Sequence, residues 1–127
     1  MIRKLGIKPG MRICFLNPPE EYSELLGPLP EGVRVFKRLQ GPIDFIHLFS
    51  DSKRQLQRRV PSARKALAKD GMLWISWPKR SSGVSTDLDG NIVRGTGLDH
   101  GLVDVKVCAV DETWSGLKFM YRVSDRG

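Results

Sequence analysis

Cysteine and histidine are scarce: Cys14, Cys108, His47 and His100 are the whole supply in 127 residues. Their spacing matches no metal-ligand pattern, so no metal site is expected. Each cysteine sits inside an apolar run, where a buried free thiol is the default. His47 also lies in an apolar run, and a packed, hydrogen-bonded role suits it better than a catalytic one. There is no phosphate-binding glycine loop and no defensible Ser/His/Asp order. No internal repeat or low-complexity segment is present. No stretch approaches the ~18 apolar residues that span a bilayer. The opening Met1 to Gly10 lacks the apolar core of a signal peptide. The expectation is a cytoplasmic protein with no membrane contact.

Negative charge is in short supply as well. Fourteen acidic residues face 21 Lys and Arg, for a net charge of +7. Seven cations (Lys53, Arg54, Arg58, Arg59, Arg64, Lys65 and Lys69) lie between Asp51 and Asp70. Such a run is ordinarily a solvated helix face. It has no interleaved aromatics for stacking on single strands, so no specific nucleic-acid partner is expected.

What is present is a regular alternation of apolar runs and helical patterns. Met11 to Leu16 reads as a first strand, and Asn17-Pro18-Pro19 breaks it. Pro19 to Leu26 is a short helix, with Glu20 and Glu21 in the turn that favours negative charge. Val33 to Phe36 is a second, short strand. Ile43 to Phe49 is apolar almost throughout, as suits a strand buried on both faces. Leu56, Val60, Ala63 and Leu67 recur at helical spacing, and Pro61 should kink or split that helix near Arg59 and Val60. Asp70-Gly71 is a turn, and Met72 to Trp77 is a fourth strand. Thr86-Asp87 starts a weak, glycine-rich helix. Leu102 to Val110 and Leu117 to Val123 form a terminal antiparallel pair, joined by Asp111 to Gly116.

This order predicts one α/β domain over residues 1–127. It is a Rossmann-like three-layer sandwich, with a mostly parallel sheet of about six strands and a C-terminal antiparallel hairpin. Met11–Leu16, Ile43–Phe49 and Met72–Trp77 should be central, and the last strand should be the antiparallel member.

Three phrases carry a resemblance. Lys8-Pro9-Gly10-Met11-Arg12-Ile13, Ile43 to Phe49, and Leu67-Ala68-Lys69-Asp70-Gly71-Met72-Leu73-Trp74-Ile75 resemble a shortened class I methyltransferase core. The phrases Trp74 to Lys79 and Val105 to Lys118 are similar to a bacterial family of small proteins known as a domain of unknown function, which implies no established activity. The sequence departs from the methyltransferase pattern twice. The turn after the first strand, Asn17-Pro18-Pro19-Glu20-Glu21, has no glycine to let backbone approach a cofactor. The second strand ends in Phe36-Lys37-Arg38, where a carboxylate would hold ribose hydroxyls. No cofactor is therefore expected, S-adenosylmethionine included.

Ligands of open α/β sheets bind beyond the carboxyl ends of the strands. The loops that should converge there supply Asn17, Trp77, Lys79, Arg80, Asp111 and Trp114 as candidate ligand-binding residues. Five of them have a plainer role: Trp77 and Trp114 as core closure, Lys79 and Arg80 as solvated cations on a flexible loop, Asp111 as a turn former. No catalytic residue stands out. The main reading is a non-enzymatic binding or interaction module on a degenerate methyltransferase-like fold, whose partner, a small anionic ligand or a protein, the sequence leaves open. The alternative is an enzyme or sensor acting on a small anionic ligand at the C-terminal edge of the sheet, which Lys37, Lys79 and Arg80 favour.

Overall fold

Each apolar run of the sequence is a strand of one sheet in the computed structural model, which describes residues 1–126. The elements are α1 (Ile2–Leu5), β1 (Arg12–Leu16), α2 (Tyr22–Leu26), β2 (Arg34–Phe36), β3 (Ile43–Phe49), α3 (Lys53–Ala66), β4 (Leu67–Pro78), α4 (Gly90–Asp99), β5 (Leu102–Ala109) and β6 (Trp114–Tyr121). The strand order is β2-β1-β3-β4-β6-β5. β1 to β4 pair in parallel, and β6 lies antiparallel to both β4 and β5. This is the Rossmann-like α/β fold expected, mostly parallel with a C-terminal antiparallel hairpin.

Side chains alternate across the sheet and build two cores. On one face Ile46, Leu48, Leu73, Ile75, Trp77, Leu117 and Phe119 pack under α3 and α4. On the other, Ile13, Phe45, Phe49, Met72 and Trp74 pack under α1 and α2. The inward stripe of α3 is the predicted one, with Leu56, Val60 and Ala63 buried.

Several boundaries differ from expectation. Pro61 does not split α3, which runs unbroken from Lys53 to Ala66. Pro61 and Gln57 are exposed, so the carbonyl that loses its donor faces water. The helix ends before Lys69, because Leu67 is extended and pairs with Ile43. β4 therefore starts at Leu67, and Asp70-Gly71 lies within it. α2 begins at Tyr22, after a turn in which the Tyr22 N–H donates to the Pro19 carbonyl. α4 begins at Gly90, not at Thr86, because Asp89 is the residue that caps it: its carboxylate accepts from the Ile92 N–H at 2.9 Å. β6 begins at Trp114, because the Asp111 carboxylate closes the preceding turn within a few residues. α1 (Ile2–Leu5) is an element the sequence pattern does not predict. Its Leu5 is fully buried, and the Leu5 carbonyl accepts from the Trp74 indole at 2.8 Å.

Candidate functional site at the carboxyl edge of the sheet

Strand order reverses between β1 and β3, since β2 follows β1 in the chain but lies on its far side. That switch point is where an open α/β sheet leaves a crevice. Asn17 stands on it. Its φ of 56° is left-handed, a conformation asparagine tolerates better than most residues. Its Nδ2 donates to the Phe49 carbonyl at 3.3 Å, tying the end of β1 to the end of β3.

The β4 end is built around Lys79 and Asp111. The Lys79 N–H donates to the Thr113 carbonyl at 2.8 Å, and its ammonium donates to the Asp111 carbonyl at 2.6 Å. The Asp111 carboxylate accepts from the N–H groups of Thr113 and Trp114, at 2.8 and 2.7 Å. Trp114 starts β6 opposite Pro78 and meets Phe49 edge-on, with ring centroids 5.2 Å apart. Lys79, Asp111 and Trp114 are thus brought together. Trp77 is not with them. It is buried in the core under α3 and α4, on the face opposite Trp114. Arg80 is exposed and lines a shallow cavity of about 380 Å³ with Gly83 to Asp89.

The loop carrying Arg80 is fastened rather than free. The Asp87 carboxylate accepts from the Lys53 N–H at 2.7 Å, at the first turn of α3. The Thr86 hydroxyl donates to the Asp51 carbonyl at 2.6 Å. Ser52 caps the same helix by accepting from the Gln55 N–H. The helix N-terminus at the switch point is therefore already met by a carboxylate of the chain itself. At the β2 end, Lys37 and Arg38 are exposed and line a cavity of about 400 Å³ with Phe36 and Gln40. Among the described residues, the ion pairs are Arg12–Asp44 and Arg94–Asp104. Lys37, Arg38, Lys79 and Arg80 belong to neither.

Beneath the edge lies a chain of polar groups that sequence reasoning missed. The Tyr22 hydroxyl and His47 Nδ1 are 2.5 Å apart, and His47 Nε2 is 2.7 Å from the Ser76 hydroxyl. All three residues are buried. Burial pushes the His47 pKa down to about 3 and raises that of Tyr22. His47 is a neutral, saturated hydrogen-bonding group. Tyr22 also lines an apolar cavity of about 450 Å³ with Phe15, Pro18, Pro19 and Leu26.

Comparison with solved structures places this architecture. A S-adenosylmethionine-dependent methyltransferase from Aquifex aeolicus matches with a TM-score of 0.71 and 13% identity, over 95% of this chain and 87% of that one. A putative type 11 methyltransferase from Sulfolobus solfataricus matches at 0.69 and 15% identity, over 98% and 91%. Aeropyrum pernix fibrillarin, with natively bound S-adenosyl-L-methionine, matches at 0.60 and 18% identity, over 91% and 69%. No protein-family model and no curated protein sequence matches the chain. The class defined is the α/β methyltransferase-like fold, and the chain has a methyltransferase-like core.

These neighbours correct the main expectation. A non-enzymatic module on a degenerate core loses its ground when solved proteins of the same fold, some spanning little more than this chain, are methyltransferases. The alternative, an enzyme or sensor working at the carboxyl edge, accords better with the likeness.

The residues at the edge do not fit S-adenosylmethionine, the group this fold brings to mind. Pro18 and Pro19 have no N–H to offer its carboxylate. The Asn17 amide is turned onto Phe49. Lys37 and Arg38 are donors where the ribose diol calls for an acceptor, and they face a ligand with a net positive charge.

Proposed function

We propose that this chain is an enzyme or ligand sensor that takes a small anionic ligand at the carboxyl edge of its sheet. One observation carries the reading: Lys37 and Arg38 after β2, and Lys79 and Arg80 after β4, flank the β1–β3 switch point, and none of the four is in an ion pair. Arginine forks and lysine ammoniums suit phosphate or carboxylate. Asn17 would stand between the two cationic ends, and Trp114 with Asp111 would wall the β4 end. Trp77 would serve from beneath, as support for the loop it precedes. A ligand with an anionic group and a flat body suits such an edge.

The test is a thermal-shift screen of phosphorylated and carboxylated metabolites, with S-adenosylmethionine in the same panel. A ligand at about 100 times its Kd adds about 2.7 kcal/mol of stability. An anion should raise the melting temperature of the native chain. The response should vanish in a Lys37→Ala/Arg38→Ala/Arg80→Ala variant, which melts like the parent without ligand because these side chains are exposed. An undiminished response to the carboxylated, phosphate-free metabolites after the three changes rejects the site.

A second reading is methyl transfer, favoured by the methyltransferase neighbours. Saturable binding of S-adenosylmethionine in the same screen would put it first. We also propose that residues 1–127 act as one domain in the cytoplasm, with no specific nucleic-acid partner. The chain belongs with the bacterial family that the Trp74–Lys79 and Val105–Lys118 phrases resemble. Among the described residues, no helix is long and apolar enough to cross a membrane.

A further inference from the structure

The face of the β5–β6 hairpin turned away from α3 and α4 carries a charge pattern that the carboxyl edge does not explain. Along β6, Leu117, Phe119 and Tyr121 point into the core under α3 and α4. Lys118 therefore points the other way, toward the α1 side, where Trp114 and Met120 pack. Lys106 of β5 is the register partner of Lys118. Two ammonium groups thus stand side by side on neighbouring strands. The chain start adds two more. Lys4 of α1 reaches this ribbon, its ammonium donating to the Ala109 carbonyl at 2.6 Å. Lys8, in the turn after α1, is near enough for its charge to act on Lys118.

Like charges directly opposite on a sheet are destabilising, and an acidic partner is the usual relief. Here there is none. The two ion pairs among the described residues lie elsewhere, and Asp104 of β5 is engaged by Arg94 at 3.0 Å. Lys118 is half-buried. Its pKa is lowered, first by burial and then by Lys106 and Lys8. Cys108, the half-buried neighbour of this group, has its thiol pushed up by burial and pulled back by Lys4 and Lys106. Among the described residues, none of these lysines is in an ion pair.

We propose that this face is a second anion site, separate from the carboxyl edge, which takes a small polyphosphate group between Lys106, Lys118, Lys4 and Lys8. Lysines act as point charges with several donors each, which suits the many oxygens of linked phosphates. Single-stranded nucleic acid fits less well. Trp114 is the aromatic side chain of the ribbon on this side, and it is already engaged edge-on by Phe49.

The experiment is calorimetric titration with inorganic triphosphate of a chain carrying Lys37→Ala/Arg38→Ala/Arg80→Ala, so that the carboxyl edge adds no heat and each further change is read against this parent. Saturable binding is expected. In Lys106→Gln/Lys118→Gln it should weaken by about tenfold or more. In Arg54→Gln/Arg58→Gln, which removes the same charge from the exposed face of α3, it should be unchanged. Without ligand, the Lys106→Gln/Lys118→Gln chain should melt at or above the parent, because the repulsion is gone; this also shows that it folds. Equal binding by that variant and the parent would overturn the proposal, as would heat seen with an oligothymidylate but not with triphosphate. A further contrary result is self-association of the lysine variant with triphosphate binding intact. Lys106 would then serve to keep an edge strand from pairing with another copy.

Discussion

His47 shows how a single residue can look chemical and serve the fold. It is fully buried between the Tyr22 and Ser76 hydroxyls, and burial drives its pKa to about 3. The unfolded chain holds it near 6.5. Between these values the unfolded state binds the extra proton. This group's contribution is thus present above pH 6.5 and is lost as pH falls toward 3, at up to ~1.4 kcal/mol per pH unit. Chemical denaturation from pH 7 to 4 should show that decline. His47→Gln should be less stable at pH 7 but shallower in slope, and parallel slopes would contradict the assignment. The apolar run around His47 made a packed, bonded histidine legible. Its partners were not, because they are Tyr22 of α2 and Ser76 of β4, and neither helix docking nor strand register is written locally. The same limit applies to Trp77 and Trp114: both flank the β4 end, but one residue of register puts them on opposite faces.

Among the elements, α4 is the one whose sequence most understated it. Its glycines weaken a helix by up to ~1 kcal/mol each relative to alanine, which made it look marginal. The structure gives two of them opposite meanings. A Cβ on Gly97 would lie 2.1 Å from the Phe119 ring, so glycine is what lets α4 lie directly on β6. Nothing lies within 4 Å of a Cβ at Gly95. Gly97→Ala should destabilise by about 1–3 kcal/mol through overpacking. Gly95→Ala should stabilise by up to about 1 kcal/mol. Urea midpoints of the two variants would check both signs, and a shift of the same sign in both would contradict this packing. The loop before α4 follows a similar logic. Its Ser and Gly content reads as flexible, but Asp87 and Thr86 fasten it to α3. Asp87→Ala should cost about 1 kcal/mol, the usual worth of a helix cap, and should raise proteolytic nicking between Arg80 and Thr86.

The molecule as a whole follows from the apolar runs, which reveal which segments are strands, and from the right-handed crossovers that order them. Ile43–Phe49 was legible to the residue because it is apolar and bounded by Pro42 and Ser50. The start of β4 was not, since Leu67 serves as the helix-spaced apolar residue in sequence and the strand partner of Ile43 in space. The cations of the carboxyl edge were legible one by one. Their arrangement about the switch point depends on β2 lying outside β1 and β4 beyond β3. The function proposed for the molecule requires that this edge receive an anion. Amide chemical-shift mapping tests it most directly, with a pool of phosphorylated and carboxylated metabolites in one titration and S-adenosylmethionine in another. The predicted result is movement of the amides of Asn17, Lys37, Arg38, Ser50, Lys79 and Arg80 with the anionic pool, and none with S-adenosylmethionine. Movement confined to the opposite edge, around Ile43, Leu67 and Gly71, or a carboxyl edge that answers only to S-adenosylmethionine, would contradict it.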